Sequence, residues 1–197
     1  MDPVGAISQL CSAFGLGSAA GLNAYIPLLA VGLLSRLGYA DLSDSYAPLA
    51  STPVLLVLAV LGIVDFVGDK IPAVDHVLHG VGVVVSPVAG AIVFASQNSV
   101  LNDVHPAIAL AAGFVVAGGL HATRAAVRPA ATTFTAGLGN PVVSVVEDAV
   151  SFTLTVLAFA APLVAFLLML LMVVGVVKAW RRVRAWRAAG RKPIQET

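Results

Sequence analysis

The chain has 197 residues, of which 59% are hydrophobic and only 11% charged, with a net charge of +1 and a mean hydropathy of +0.97. A soluble domain carries about 25% charged residues, so the composition excludes a soluble enzyme or binding module and describes an integral membrane protein. At about 20 residues per crossing, the length suits one domain of about five to seven spans. Cys11 is the only cysteine, which rules out an internal disulfide and a cysteine-based metal site. The N-terminus, Met1-Asp2-Pro3, lacks the basic start of a secretory signal peptide and is expected to be retained.

In chain order, a first span is expected from about Ile7 to Leu37. It contains Gly17-Ser-Ala-Ala-Gly21, a small-residue spacing that lets a neighbouring helix approach closely, within one chain or between two copies of a homo-oligomer. Pro27 should kink this span and leave Asn23 and Tyr25 near its middle. A polar loop, 39–51, separates it from a second span over Thr52–Gly68. Lys70-Ile71-Pro72 makes the next turn, because the residue before a proline is pushed out of the helical region. A third span, from Pro72 to Gln97, is interrupted at Ser86-Pro87, and a fourth covers about Pro106 to Val127. The uncharged Thr- and Gly-rich stretch 129–140 reads as non-helical, either a loop or a re-entrant segment. Asn140-Pro141 resembles an N-cap followed by proline at the first helical position. It opens a fifth span to Ala160, and a sixth follows from Pro162 to Val183.

Six spans place both termini on one side. Basic residues crowd the end of the chain, from Lys178 to Lys192. The positive-inside rule puts that tail in the cytoplasm of a bacterial inner-membrane protein, with Trp180 and Trp186 at headgroup level. Lys70, Arg124 and Arg128 then fall at cytoplasmic ends, and the acidic 39–51 loop lies outside. Residues 1–185 form the membrane domain and 186–197 a basic cytoplasmic tail. Anionic lipid headgroups are the natural partner of that tail; nucleic acid is not expected. A short internal similarity, Ala20-Gly-Leu-Asn-Ala-Tyr25 against Gly118-Gly-Leu-His-Ala-Thr123, suggests halves 1–100 and 101–185 arranged as inverted three-helix repeats.

The most polar stretch inside the apolar chain is Asp65 to His79, with three carboxylates, one lysine and two histidines. Charged groups at membrane depth are costly and usually face a bundle interior or a water-filled path. Asp75 and His79 share a helix face, as do Asp65 and Asp69. In the fifth span, Glu147 with Ser144 and Ser151 forms a polar stripe. The adjacent Asp148 points about 100° away from it, given 3.6 residues per turn. An ion or substrate path lined by Asp65, Asp75, His79, Glu147, Ser144 and Ser151, completed by Asn23 and His121, is the expected site. The structural alternative is simple pairing of Glu147 or Asp148 with Arg124 or Arg128. Asp75, His79 and a carboxylate from Asp65 or Glu147 could also supply three ligands to a catalytic metal. No phosphate-binding Gly loop, Gly-x-Ser-x-Gly or His-Glu-x-x-His occurs.

Three segments carry a family resemblance: Gly17 to Leu29, Ile71-Pro-Ala-Val-Asp75, and Thr135-Ala-Gly-Leu-Gly-Asn-Pro-Val-Val143. They resemble the bacterial membrane family known only as domain of unknown function 4126, over nearly the whole chain. The resemblance implies a small polytopic inner-membrane protein and brings no activity, cofactor or catalytic residues. The leading expectation is an all-α bundle of about six transmembrane helices acting as a small transporter or channel-like permease. The alternatives are a membrane-embedded metal-dependent enzyme on a lipid or phosphate ester, and a non-catalytic membrane assembly protein.

Overall fold

The structure, a computed structural model, describes residues 3–97, 105–135 and 139–189. The described residues form α1 (Pro3–Leu22), α2 (Tyr25–Arg36), α3 (Thr52–Gly68), α4 (Pro72–Ala95), α5 (Pro106–Thr135), α6 (Asn140–Ala160) and α7 (Pro162–Ala189). A short 3-10 helix, Asp44–Ala50, precedes α3, and one isolated bridge joins Leu42 to Gln97. Among the described residues, four helical segments are long and apolar enough to cross a membrane: Val77–Ala95, Pro106–Ala125, Asn140–Ala160 and Pro162–Arg182. A fifth is added if the 3-10 helix and α3, which meet at 62°, count as one span.

The helix at the centre is α1, and it is not among those four. It packs against α4, α5, α6 and α7, and apart from Cys11, Leu16 and Leu22 its buried positions are small: Ser12, Ala13, Gly15, Gly17, Ser18, Ala19, Ala20 and Gly21. A helix surrounded by protein needs close approach rather than a greasy exterior, so its glycines and serines dilute its hydropathy. The outer helices show the opposite pattern. On α7, Leu163, Leu167, Leu171 and Val174 are exposed, and on α3 so are Leu56, Val60, Ile63 and Val67. An apolar exterior around a core of small and polar residues is the arrangement that a lipid solvent selects.

Contacts fix the helix directions. Gly15 meets Ala158 and Ala165, while Gly21 meets Ala117 and Leu120. Asn23 meets Asp148, and Leu22 accepts from Arg124. Hence α1 runs parallel to α5 and α7 and antiparallel to α6. The close pair α4 and α5 is antiparallel, since Gly90 and Gly113 touch near one end and His79 and His121 near the other. The next helix, α2, does not continue α1. Tyr25 lies beside Gly62, Gly32 beside Leu49 and Leu55, and the Arg36 Nη1 donates to Thr52 Oγ1 at 2.6 Å. Tyr46, a few residues before Leu49, packs with Ala13 and Phe94 at the opposite end of the bundle from Asn23. The chain therefore reverses at Asn23-Ala24, and α1 and α2 form a helical hairpin.

Several expectations are corrected here. Pro27 does not kink one long span. A proline removes the hydrogen bond to the carbonyl four residues earlier and clashes with it, which puts the break at Asn23. Proline itself then sits in the first turn of α2, where its missing N–H costs nothing. The reversal also alters the topology: the N-terminal end of α1 and the C-terminal end of α7 lie at opposite ends of the bundle, not at the same one. Because α1 and α5, which carry the two matched hexapeptides, run in the same direction, a two-fold axis in the membrane plane does not relate them as inverted repeats. Among the described residues, four α-helices precede residue 98 and three follow residue 105. The helix α4 runs unbroken through Ser86-Pro87, whose ring faces Gly118 of α5. The stretch 129–135 continues α5 as helix, aided by alanines, the strongest helix formers; residues 136–138 lie outside the described residues. The residue capping α6 is Gly139, with Asn140 already inside the helix and no side-chain capping bond. On the basic tail, α7 reaches Ala189, and 190–197 lie outside the described residues.

Candidate functional site at the tip of the helical hairpin

Breaking the helix at Asn23 frees backbone groups that are buried in the protein. Most are answered locally. The Asn23 Oδ1 accepts from the backbone N–H of Tyr25 at 3.0 Å and of Ile26 at 3.3 Å, and so caps α2. Leu22 O at the end of α1 accepts from Arg124 Nη1 at 2.8 Å. Ser151 Oγ donates to Ala19 O at 2.9 Å and approaches Asn23 O at 3.5 Å, replacing the partner that Pro27 cannot provide.

With Oδ1 committed to the cap, the orientation of the Asn23 amide is fixed and its Nδ2 faces two carboxylates. It donates to Asp148 Oδ1 of α6 at 2.9 Å and to Asp65 Oδ2 of α3 at 3.2 Å. Asn23 is 3% exposed and Asp148 8%. The second oxygen of Asp148 makes no hydrogen bond to the described residues, and Lys70 Nζ lies 3.9 Å from it. Lys70 also donates to Phe66 O and sits over the Phe66 ring, a cation at the C-terminal end of α3 where the helix dipole favours it.

Arg124 organises the other side. Its Nη2 lies 2.7 Å from Asp69 Oδ2, which also accepts from Ser144 Oγ at 3.1 Å. Its Nε lies 2.7 Å from Glu147 Oε2, an ion pair in which the N–H is not aimed at the oxygen. Between α2, α3, α4 and α5 is a cavity of about 20 Å³ touched by Tyr25, Asp65, Asp69, His79, Ser86 and Arg124. About 10–15 Å³ is enough for one water molecule. The His79 and His121 rings stack beside it, with centroids 5.0 Å apart and planes 26° from parallel. Gly82 makes room for this, since a Cβ there would sit 2.7 Å from His121 Cε1.

Of the residues expected to share one site, Asp65 and His79 line the cavity, and His121 stacks on His79. Asn23 forms the tip of the hairpin, and Ser144 holds Asp69. Glu147 touches the cavity only through Arg124. Asp75, buried in the first turn of α4, is not part of its lining. Ser151 braces α1 rather than lining a path. The acid of α6 that meets the hairpin is Asp148, not Glu147. Arg124, Asp69, Lys70 and Asp148 were missing from the expected site. The inward face was readable as Ser144, Asp148, Ser151 and Thr155, spaced four, three and four residues apart and all buried. The three-ligand metal set is not assembled. Among the described residues, no group of three His, Cys, Asp or Glu side chains lies close enough to hold an ion, and Glu147 is paired with Arg124. Gly17 and Gly21 both face helices: a Cβ on Gly21 would sit 2.6 Å from Ala117 O, whereas at Gly17 the nearest atom would be at an ordinary 3.5 Å.

These features define a helical membrane protein with a charged, hydrogen-bonded centre built around a broken helix. The family profile described as domain of unknown function (DUF4126) matches residues 10–182, and the chain belongs to that family. No curated protein and no solved structure matches it.

Proposed function

We propose that the chain is a small inner-membrane permease or channel-like protein for protons or a small monovalent cation. The observation that carries this reading is Asn23, held between Asp65 and Asp148 at the tip of the α1–α2 hairpin. The helix α2 has 12 residues, about 18 Å at 1.5 Å per residue, little more than half of a hydrocarbon core of about 30 Å. With α2 setting the depth, the hairpin is re-entrant with its tip near the midplane, and the first turns of α1, which at 20 residues is about 30 Å long, project beyond the core. Broken helices with their ends aimed at a midplane site recur in transporters. Irregular backbone at that depth is tolerated where protein or a cavity surrounds it. The charge count favours a cation: Asp65, Asp69, Glu147 and Asp148 face Arg124 and Lys70 in this cluster. In this orientation the basic end of α7, Lys70 and Arg124 are cytoplasmic, while the start of α1 and the 39–51 loop are outside.

Proteoliposomes test it. An entrapped pH dye reads proton entry driven by a potassium diffusion potential, and a sodium gradient is tested in parallel. Flux above that of empty liposomes is expected, and its loss in the Asp65→Asn, Asp148→Asn double variant with helix content retained. Equal flux in wild type and double variant would overturn the reading. One observation favours a second reading, a non-catalytic assembly role: Arg124 is engaged by Asp69, Glu147 and the Leu22 carbonyl, the arrangement of a structural staple. Wild-type protein that carries no ion would favour it.

A further inference from the structure

A second cavity, of about 1050 Å³, opens between α2, α3 and α6 on the outside of the bundle. Its walls are apolar, formed by Leu29, Leu33, Leu55, Phe152 and Phe159 among others. Its one charge lies at one end, where Arg36, Tyr39 and Thr52 form the mouth; Thr155, in the wall, donates its hydroxyl to Ser151 O at 2.8 Å. That mouth is the end of the bundle opposite Asn23. The apolar wall along α2 runs from Ile26 to Arg36, ten residues or about 15 Å. This equals one leaflet of a hydrocarbon core about 30 Å thick.

We infer that this groove is a binding site for one phospholipid of the outer leaflet, with an acyl chain between α2, α3 and α6 and its phosphate at Arg36. Three observations select a lipid. The groove is as deep as one leaflet. Its only charged side chain lies at the end where a headgroup would lie, and the wall's Thr155 has its hydroxyl bonded to its own helix. The cation there is a guanidinium, whose fork matches phosphate oxygens. Arg36 is exposed and already placed by its hydrogen bond to Thr52 Oγ1, so it can meet a phosphate without reordering. Tyr39, 78% exposed beside it, is the kind of aromatic that settles at headgroup level. The inference depends on the membrane placement of the bundle and not on the permease reading, because none of these residues belongs to the Asn23 cluster.

Native mass spectrometry of the full chain, released from a mild detergent, tests it. The wild type is expected to carry one phospholipid. Ala59→Phe, which puts a ring into the groove from α3, should largely remove it. Leu171→Phe on the exposed face of α7 should leave it bound. Arg36→Gln should lower the bound fraction by about tenfold, the equivalent of one charge-assisted hydrogen bond. It also serves as an independent test should Ala59→Phe fail to fold. Lipid-free wild type, lipid retention unaffected by both groove variants, or a lipid-free dimer with a second copy across the groove would each overturn the inference.

Discussion

At the scale of single residues, Arg124 and Asp148 differ in what they sustain. Arg124 is buried, and it answers two carboxylates and a helix-end carbonyl. Removing it strands Asp69 and Glu147 together. Breaking a buried ion pair by deleting one partner costs about 3–5 kcal/mol. Arg124→Leu is therefore expected to lower the unfolding midpoint in detergent sharply, whereas Asp148→Asn, whose amide oxygen still accepts from Asn23, should fold nearly as wild type. Equal losses in the two variants would contradict this division. The sequence made Asn23, Asp65 and His121 visible, because polar side chains inside apolar runs stand out. It did not separate Glu147 from Asp148, since neighbouring residues on a helix differ by a rotation that only the packing partner resolves.

At the scale of elements, five helix starts marked by proline were legible: Thr52-Pro53, Pro72, Pro106, Pro141 and Pro162 each lie in the first residues of a helix, whereas the start of α1 at Pro3 precedes the expected Ile7 and that of α2, before Pro27, was missed. The misreadings came from prolines that act at a distance. Pro27 exerts its effect at Asn23, and nothing in the local pattern says whether a broken helix bends slightly or turns back. That choice was made by the packing of α2 on α3 and α6, a long-range matter. Gly21 supplies the element-scale prediction. A side chain there meets the Ala117 backbone, and overpacking costs about 1–3 kcal/mol or more. Gly21→Leu should reduce the melting temperature and the folded yield, while Gly17→Ala should be tolerated. A melting profile for Gly21→Leu that matches wild type would show that α1 and α5 do not approach as described.

At the scale of the molecule, composition and charge were enough to place the chain in a membrane and to identify which ends of the helices are basic. The number of crossings was not, because it depends on whether α1 and α2 are one span or a hairpin, and both have the same hydropathy. The hairpin is the centre of the account: it brings Asn23 to Asp65 and Asp148 and puts the start of α1 at the same end as the 39–51 loop. Cysteine labelling from each side of the membrane in a Cys11→Ser background tests it most directly, using the exposed positions Val4, Ser45 and Arg181. Val4→Cys and Ser45→Cys are expected to react with an impermeant maleimide from outside, and Arg181→Cys only after the cytoplasmic side is opened. Labelling of Val4→Cys from the cytoplasmic side alone, with Ser45→Cys still outside, would make α1 and α2 a single crossing and contradict the hairpin.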